Sequence, residues 1–116
     1  MTTQITELTG QLSDAERRTR FLAASALVGQ ILADSPAVPT DYSVSVSQWV
    51  IGKTEVSFYF HHDSAALARF AEEFLMSVSE EDRGEGGLYK EARKQVRDVT
   101  VKAWTLFPAG ASEVAA

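Results

Sequence analysis

Few stretches of this chain combine residue types that could do chemistry, and the first to test is His61-His62-Asp63. Two imidazoles and a carboxylate are ordinary divalent-metal ligands, and these are the only two histidines in 116 residues. They stand at the end of an alternating stretch, where neighbours point to opposite faces, and Asp63 is placed to cap the helix that follows. The reading is a strand end, with no metal. No further histidine can serve as a base, and Ser43, Ser45 and Ser47 alternate in a regular strand pattern without the sharp turn that exposes a nucleophilic serine. No catalytic residue is assigned.

Gly52-Lys53-Thr54 ends like a phosphate-binding P-loop. The position that must hold that loop's first glycine is Ser47, however, and a strand pattern follows where a helix must begin. Gly84-Glu85-Gly86-Gly87 lacks both the spacing and the preceding strand of a dinucleotide fingerprint. Glu80, Glu81, Asp82 and Glu85 lie around those glycines, a setting that neither fixes nor desolvates a general acid and base, and their spacing misses that of an EF-hand calcium loop. Lys90, Arg93, Lys94 and Arg97 are the one basic cluster, read as a solvated face or as a partner for the acidic segment before it. No cofactor is implied.

Composition narrows the classes further. A net charge of -5 opposes approach to a polyphosphate, so nucleic acid is disfavoured as a partner. Without cysteine there is no disulfide framework, thiolate metal site or thiol nucleophile, and without asparagine there is no glycosylation sequon. The first residues, Met-Thr-Thr-Gln-Ile-Thr-Glu, lack the basic and apolar regions of a signal peptide, which makes the cytoplasm the expected compartment. A hydrophobic fraction of 45% with 23% charged residues is globular composition, and the length suits one domain over 1–116.

The elements that must position any site follow from periodicity. Residues 1–12 are polar and non-periodic, an N-terminal arm. Ser13-Asp14-Ala15-Glu16 is a capping box, in which the Ser13 hydroxyl and the Glu16 carboxylate each satisfy an amide at the start of a helix. Phe21, Ala24, Leu27, Val28, Ile31 and Leu32 form its apolar stripe, and Pro36 ends it after Ser35. Between Phe21 and Ala33 there is no charge, so the face opposite the stripe carries Ala23, Ala26, Gly29, Gln30 and Ala33. That run is shorter than the roughly 20 residues a membrane span needs. The reading is a helix packed on both sides, with no membrane and with small residues admitting a second helix or subunit.

Tyr42 to Val50 and Thr54 to His61 alternate with period two and read as a hairpin around Gly52. Side-chain parity selects a three-residue Ile51-Gly52-Lys53 loop, which opposes Val46 to Phe58 and Val44 to Phe60. Val56, Phe58 and Phe60 then face a core, while Trp49, Tyr59, His61 and the serines face out. Asp63 caps a second helix with the stripe Leu67, Phe70, Ala71, Phe74, Leu75 and Val78. Residues 79–87 read as a mobile acidic loop, 88–97 as a charged edge strand with a helix as the alternative, and 108–116 as a disordered tail. Val99 to Phe107 is the last strand, with Lys102, Trp104 and Leu106 on the outer side.

The expected fold is therefore α+β, two layers in the order α-β-β-α-β(-β), with a mostly antiparallel sheet of three or four strands and two helices. Two surfaces stand out. One is an outer sheet face carrying Trp49, Tyr59, His61, Lys102 and Trp104, more aromatic surface than a monomer exposes without use. The other is the uncharged face of the first helix. The expected function is a small non-catalytic interaction or assembly module, a homodimer or a partner of another protein. The alternative is a single-stranded nucleic-acid or small-ligand binder using the sheet aromatics.

Overall fold

The structure, a computed structural model, describes residues 10–109. The elements run α1 (Asp14–Asp34), β1 (Asp41–Val46), β2 (Thr54–Tyr59), α2 (Ser64–Glu73), β3 (Val78–Asp82), β4 (Leu88–Val96) and β5 (Val99–Phe107), with a short 3-10 turn at Gly84–Gly86. The fold is α+β with two helices and one mixed sheet of five strands in the order β1-β2-β5-β4-β3. Three pairings are antiparallel and one, between the interior strands β2 and β5, is parallel. No described helix is long and apolar enough to cross a membrane.

α1 begins where the capping box requires. The Glu16 amide donates to Ser13 Oγ at 3.1 Å, and the Ser13 amide donates to Glu16 Oε1 at 3.0 Å. Its Ala24, Val28 and Ile31 are buried against β1 and β2. α2 is capped by Asp63, whose Oδ1 accepts from the Ala66 amide at 2.9 Å, and its Leu67 and Phe70 pack toward β5 and β4. Both helices meet the same sheet face, where Val56, Phe58, Phe60, Val101 and Ala103 alternate inward. Phe58 is fully buried, 5.3 Å from the Phe70 ring and 6.4 Å from Tyr42.

The hairpin parity is as expected and its register is not. Val46 opposes Thr54, Val44 opposes Val56 and Tyr42 opposes Phe58, so the connection runs from Ser47 to Lys53 rather than over three residues. A shift of four keeps every side chain on its face. The chain leaves the sheet early because other groups bind it there. The Leu12 amide donates to Gln48 O at 2.7 Å, the Val50 amide donates to Gly10 O at 3.0 Å, and the Arg20 guanidinium reaches Gly52 O and Val50 O. Gly52 turns so tightly that a Cβ would lie 1.8 Å from Ser47 Oγ. Of the expected N-terminal arm, Gly10 to Leu12 is thus docked with Leu12 buried, while residues 1–9, like 110–116 of the expected tail, lie outside the described residues.

Three further expectations change. α2 ends at Glu73 instead of reaching Val78, because the Met76 amide donates to Ala71 O at 2.8 Å and the Leu75 amide to Glu72 O at 3.3 Å, which closes the helix with Leu75 left-handed at φ 56°. Leu75 is consequently 86% exposed rather than in the stripe, and Met76 turns back onto the core. The acidic run expected as a loop is in large part β3, whose Glu80 opposes Lys90 and pairs with it at 3.3 Å. β4 is a strand, as expected, but lies between β3 and β5 rather than at the edge. Opposite charges on adjacent segments, together with the ladder, hold a hairpin that apolar alternation alone does not announce.

Phe58→Ala should cost roughly 3–5 kcal/mol in a denaturant titration, since it opens a cavity under both helices. At Leu75 the left-handed backbone costs a branched residue about 1 kcal/mol or more and burial returns little. Leu75→Gly should therefore leave stability unchanged or raise it, and a clear loss in the same titration would contradict the helix end described here.

Candidate functional site

The outer sheet face is built by the residues that alternate with the inward-facing ones along β2, β5 and β4. Tyr59 lies beside Trp104, which lies beside Glu91, and the next row is Ser57, Lys102 and Arg93. Tyr89 sits next to Leu106 one step further along. Both helices cover the opposite side, so no described helix lies over this face. The rings form a row, with Tyr59 and Trp104 centroids 4.5 Å apart and Trp104 and Tyr89 6.0 Å apart.

Each ring's polar atom is hydrogen-bonded to a neighbouring side chain. Trp104 Nε1 donates to Ser57 Oγ at 3.0 Å, Tyr59 Oη shares a 2.7 Å hydrogen bond with His61 Nδ1, and the Tyr89 hydroxyl donates to Glu91 Oε1 at 2.5 Å. Those bonds fix the rotamers and leave ring faces, not donors, for a visitor. The Arg93 guanidinium grips Glu91 through two contacts of 3.0 and 3.2 Å and also reaches Glu55 at 3.5 Å. The Arg93 hydrogen bonds hold the Glu91 carboxyl below its usual range, the Tyr89 hydrogen bond acting the same way against partial burial. Burial first, then the bond to Glu91, pushes the Tyr89 hydroxyl far above its ordinary value, so it stays a neutral donor. Lys102 lies 5.9 Å from the Trp104 ring centre and Arg83 4.0 Å from that of Tyr89. A shallow cavity of about 300 Å³ opens beside the row, lined by Asp41, Tyr42, Ser43, Ser57, Tyr59 and Trp104.

Of the five residues expected on this face, Tyr59, His61, Lys102 and Trp104 come together and Trp49 does not. Trp49 lies in the β1–β2 connection, 45% exposed, and its backbone bridges Gln11. The connection belongs to the Thr54 end of β2, roughly 17 Å along the strand from Tyr59 at about 3.3 Å per residue. Strand alternation could not carry Trp49 to the face once the strand stopped at Val46. His61 and His62 also depart from strict alternation. β2 ends at Tyr59, His62 adopts φ 48°, and the two imidazoles stack at 3.9 Å, His62 further stacking on Phe107 at 5.4 Å. Among the described residues no group of three or more His, Asp or Glu side chains gathers to hold a metal.

On α1, Ala23, Ala26, Gly29, Gln30 and Ala33 are all exposed. Gln30 lines a cavity of about 320 Å³ with Leu27, Asp34, Phe74, Met76 and Lys94, and Ala23 lines another of about 410 Å³ with Thr54, Gln95 and Val99. The residues that sequence reasoning missed are Tyr89, Glu91 and Arg93, whereas Glu55 and Ser57 fall on the outer side of the β2 alternation without being singled out. A firm strand over 88–96 would have found the first three, since alternation puts them on the Trp104 side.

Comparison with protein-family models, with curated proteins and with solved structures found no match.

The depressed acidity of Glu91 gives a pH test. A carboxylate whose folded pKa is lowered adds stability above its unfolded pKa and loses it as pH falls through the folded value. Glu91→Gln should therefore be less stable than wild type at pH 7, with the difference shrinking as pH drops below about 4. Thermal melts of both proteins across that range check it, and a difference independent of pH would remove the ionised Glu91–Arg93 pair from the account.

Proposed function

We propose that the protein is a non-catalytic cytoplasmic interaction module that works as a homodimer and offers its outer sheet face to a partner polypeptide. The observation that carries this reading is the row Tyr59, Trp104 and Tyr89 on a face that no described helix covers, with every ring's polar atom hydrogen-bonded to a neighbouring side chain. Such a surface supplies apolar contact area with a rim of charged side chains, the composition of protein interfaces. Chemistry would need a free nucleophile beside a base, whereas the Ser57 hydroxyl accepts from Trp104 and His61 Nδ1 is engaged by Tyr59. A second reading, single-stranded nucleic acid stacking on the rings, is favoured by Lys102 and Arg83 beside Trp104 and Tyr89. Glu55, Glu91 and the net charge of -5 oppose it.

A photoreactive amino acid at Leu106 should give discrete adducts with polypeptides on irradiation in cells, and Tyr59→Ala with Trp104→Ala should abolish them. The same adducts from a cross-linker at Arg69, on the exposed side of α2, would sink the reading. Affinity for a short mixed single-stranded oligonucleotide that Trp104→Ala weakens by about 1–3 kcal/mol would assign the face to nucleic acid instead.

A further inference from the structure

The two edges of the sheet are finished differently. β3, at one edge, exposes Glu80, Glu81 and Asp82, and a strand so charged repels its own copy. β1, at the other, has no charged residue from Tyr42 through the connection to Gly52. Its outward backbone groups can be identified. The Ser47 amide donates to Lys53 O, and Phe60 at the end of β2 donates to Trp104 O on the β5 side. By alternation the odd residues of β1 bond to β2, which leaves the N–H and C=O groups of Tyr42, Val44 and Val46 directed at the free edge. The far end of that edge is closed. Val46 is buried, and the next outward groups, Gln48 O and Val50 N, are bonded to Leu12 and Gly10. Val44, partly buried, is left as open backbone, while half-exposed Tyr42 keeps an open C=O and its N–H donates to Asp41 Oδ1 at 2.8 Å.

Apolar side chains flank the same edge. Ala23, Leu27, Gln30 and Asp34 line cavities shared with β4 and β5, so that flank of α1 faces the middle of the sheet. Phe21 and Leu32 lie on the other side of the buried Ala24–Val28–Ile31 stripe, toward β1, and are 36% and 38% exposed. A short uncharged edge bordered by Phe21, Leu32 and Tyr42 is a surface that a second copy of the chain can complete, because a two-fold axis brings each group to its own kind.

We propose that β1 is the dimer contact: its free edge pairs antiparallel with the same edge of a second copy, in a register centred on Ser43. This inference rests on the homodimeric reading above. In that register Tyr42 opposes Val44 of the partner subunit and Val44 opposes Tyr42 of the partner subunit, each pair exchanging both main-chain hydrogen bonds once the exposed Asp41 carboxylate gives up the Tyr42 amide. Parity keeps these side chains on the helix-covered face, where an aromatic meets a β-branched residue. Asp41 opposes Ser45 of the partner subunit, so no like charges face each other. The two sheets join into one, and the outer face beside Asp41, Ser43, Tyr59 and Trp104 becomes continuous across the axis.

Ser43 is exposed, belongs to a non-hydrogen-bonded pair in this register, and sits on the axis, which makes it the position to change. Light scattering on the full chain should show a dimer for wild type and monomers for Ser43→Lys and for Ser43→Glu, both with wild-type circular dichroism. An equimolar mixture of the two variants should restore the dimer. Since the chain has no cysteine, Ser43→Cys introduces a lone thiol, and the Cα separation of about 4.5 Å expected on the axis suits a disulfide. Mild oxidation should convert it to a covalent dimer, whereas Ser79→Cys on the opposite edge strand should stay monomeric. A monomeric wild type would overturn the homodimeric reading and this contact with it. A wild-type dimer that survives both charged variants, with no covalent product from Ser43→Cys, would overturn the contact alone.

Discussion

The parallel pairing of β2 with β5 in the interior of the sheet is the constraint on which the rest of the structure depends. Parallel neighbours cannot be joined by a tight turn, so the chain must leave β2 and return to the same end before β5 can start. Everything between Tyr59 and Val99 serves that return: α2 crosses the inner face, and the β3–β4 hairpin brings the chain back beside the position β5 will occupy. β5 is therefore inserted between two strands made earlier, and its Val99, Val101 and Ala103 are covered by helices on one side and flanked by ladders on both edges.

That arrangement divides the polar and apolar residues of each strand between two very different surroundings. Inward, the Phe58, Phe60, Phe70 and Phe74 rings meet edge-on or tilted, a cluster in which the first three are buried and Phe74 is partly so. Outward, rings of similar size are only partly buried and are fixed by hydrogen bonds to Ser57, His61 and Glu91. In the Glu55–Arg93–Glu91 set one guanidinium is shared by two carboxylates, which leaves that margin of the ring row with a net negative charge. A surface held stiff by its own hydrogen bonds loses little conformational freedom when it is covered, which is what a binding surface requires.

The capping box at Ser13, the Asp63 cap, the inward set Val56, Phe58 and Phe60 and the outward set Lys102, Trp104 and Leu106 were all legible in the sequence. Each depends on residues within one turn of helix or on one strand's alternation, and such local patterns survive whatever the rest of the chain does. The β1–β2 register and the fate of Trp49 were not legible. They depend on Gly10 to Leu12 and Arg20 taking the backbone of residues 48–52, groups far away in sequence that no periodicity reports. β3 was hidden for a related reason: Ser79 to Asp82 has no apolar alternation, and its strand exists because β4 offers it a ladder and Lys90 offers Glu80 a charge.

By itself, then, the sequence determined which segments are helix or strand where the pattern is local, which side of each is apolar, and that no thiol or disulfide chemistry operates in this chain. Only the tertiary structure decided the strand order, the five-strand count and the assembly of Tyr59, Trp104, Tyr89, Glu91 and Arg93 into one face. The physical reason is that hydrophobic periodicity specifies a face, whereas neighbourhood between strands is set by backbone hydrogen bonds and loop closure. Those terms depend on segments distant in the chain.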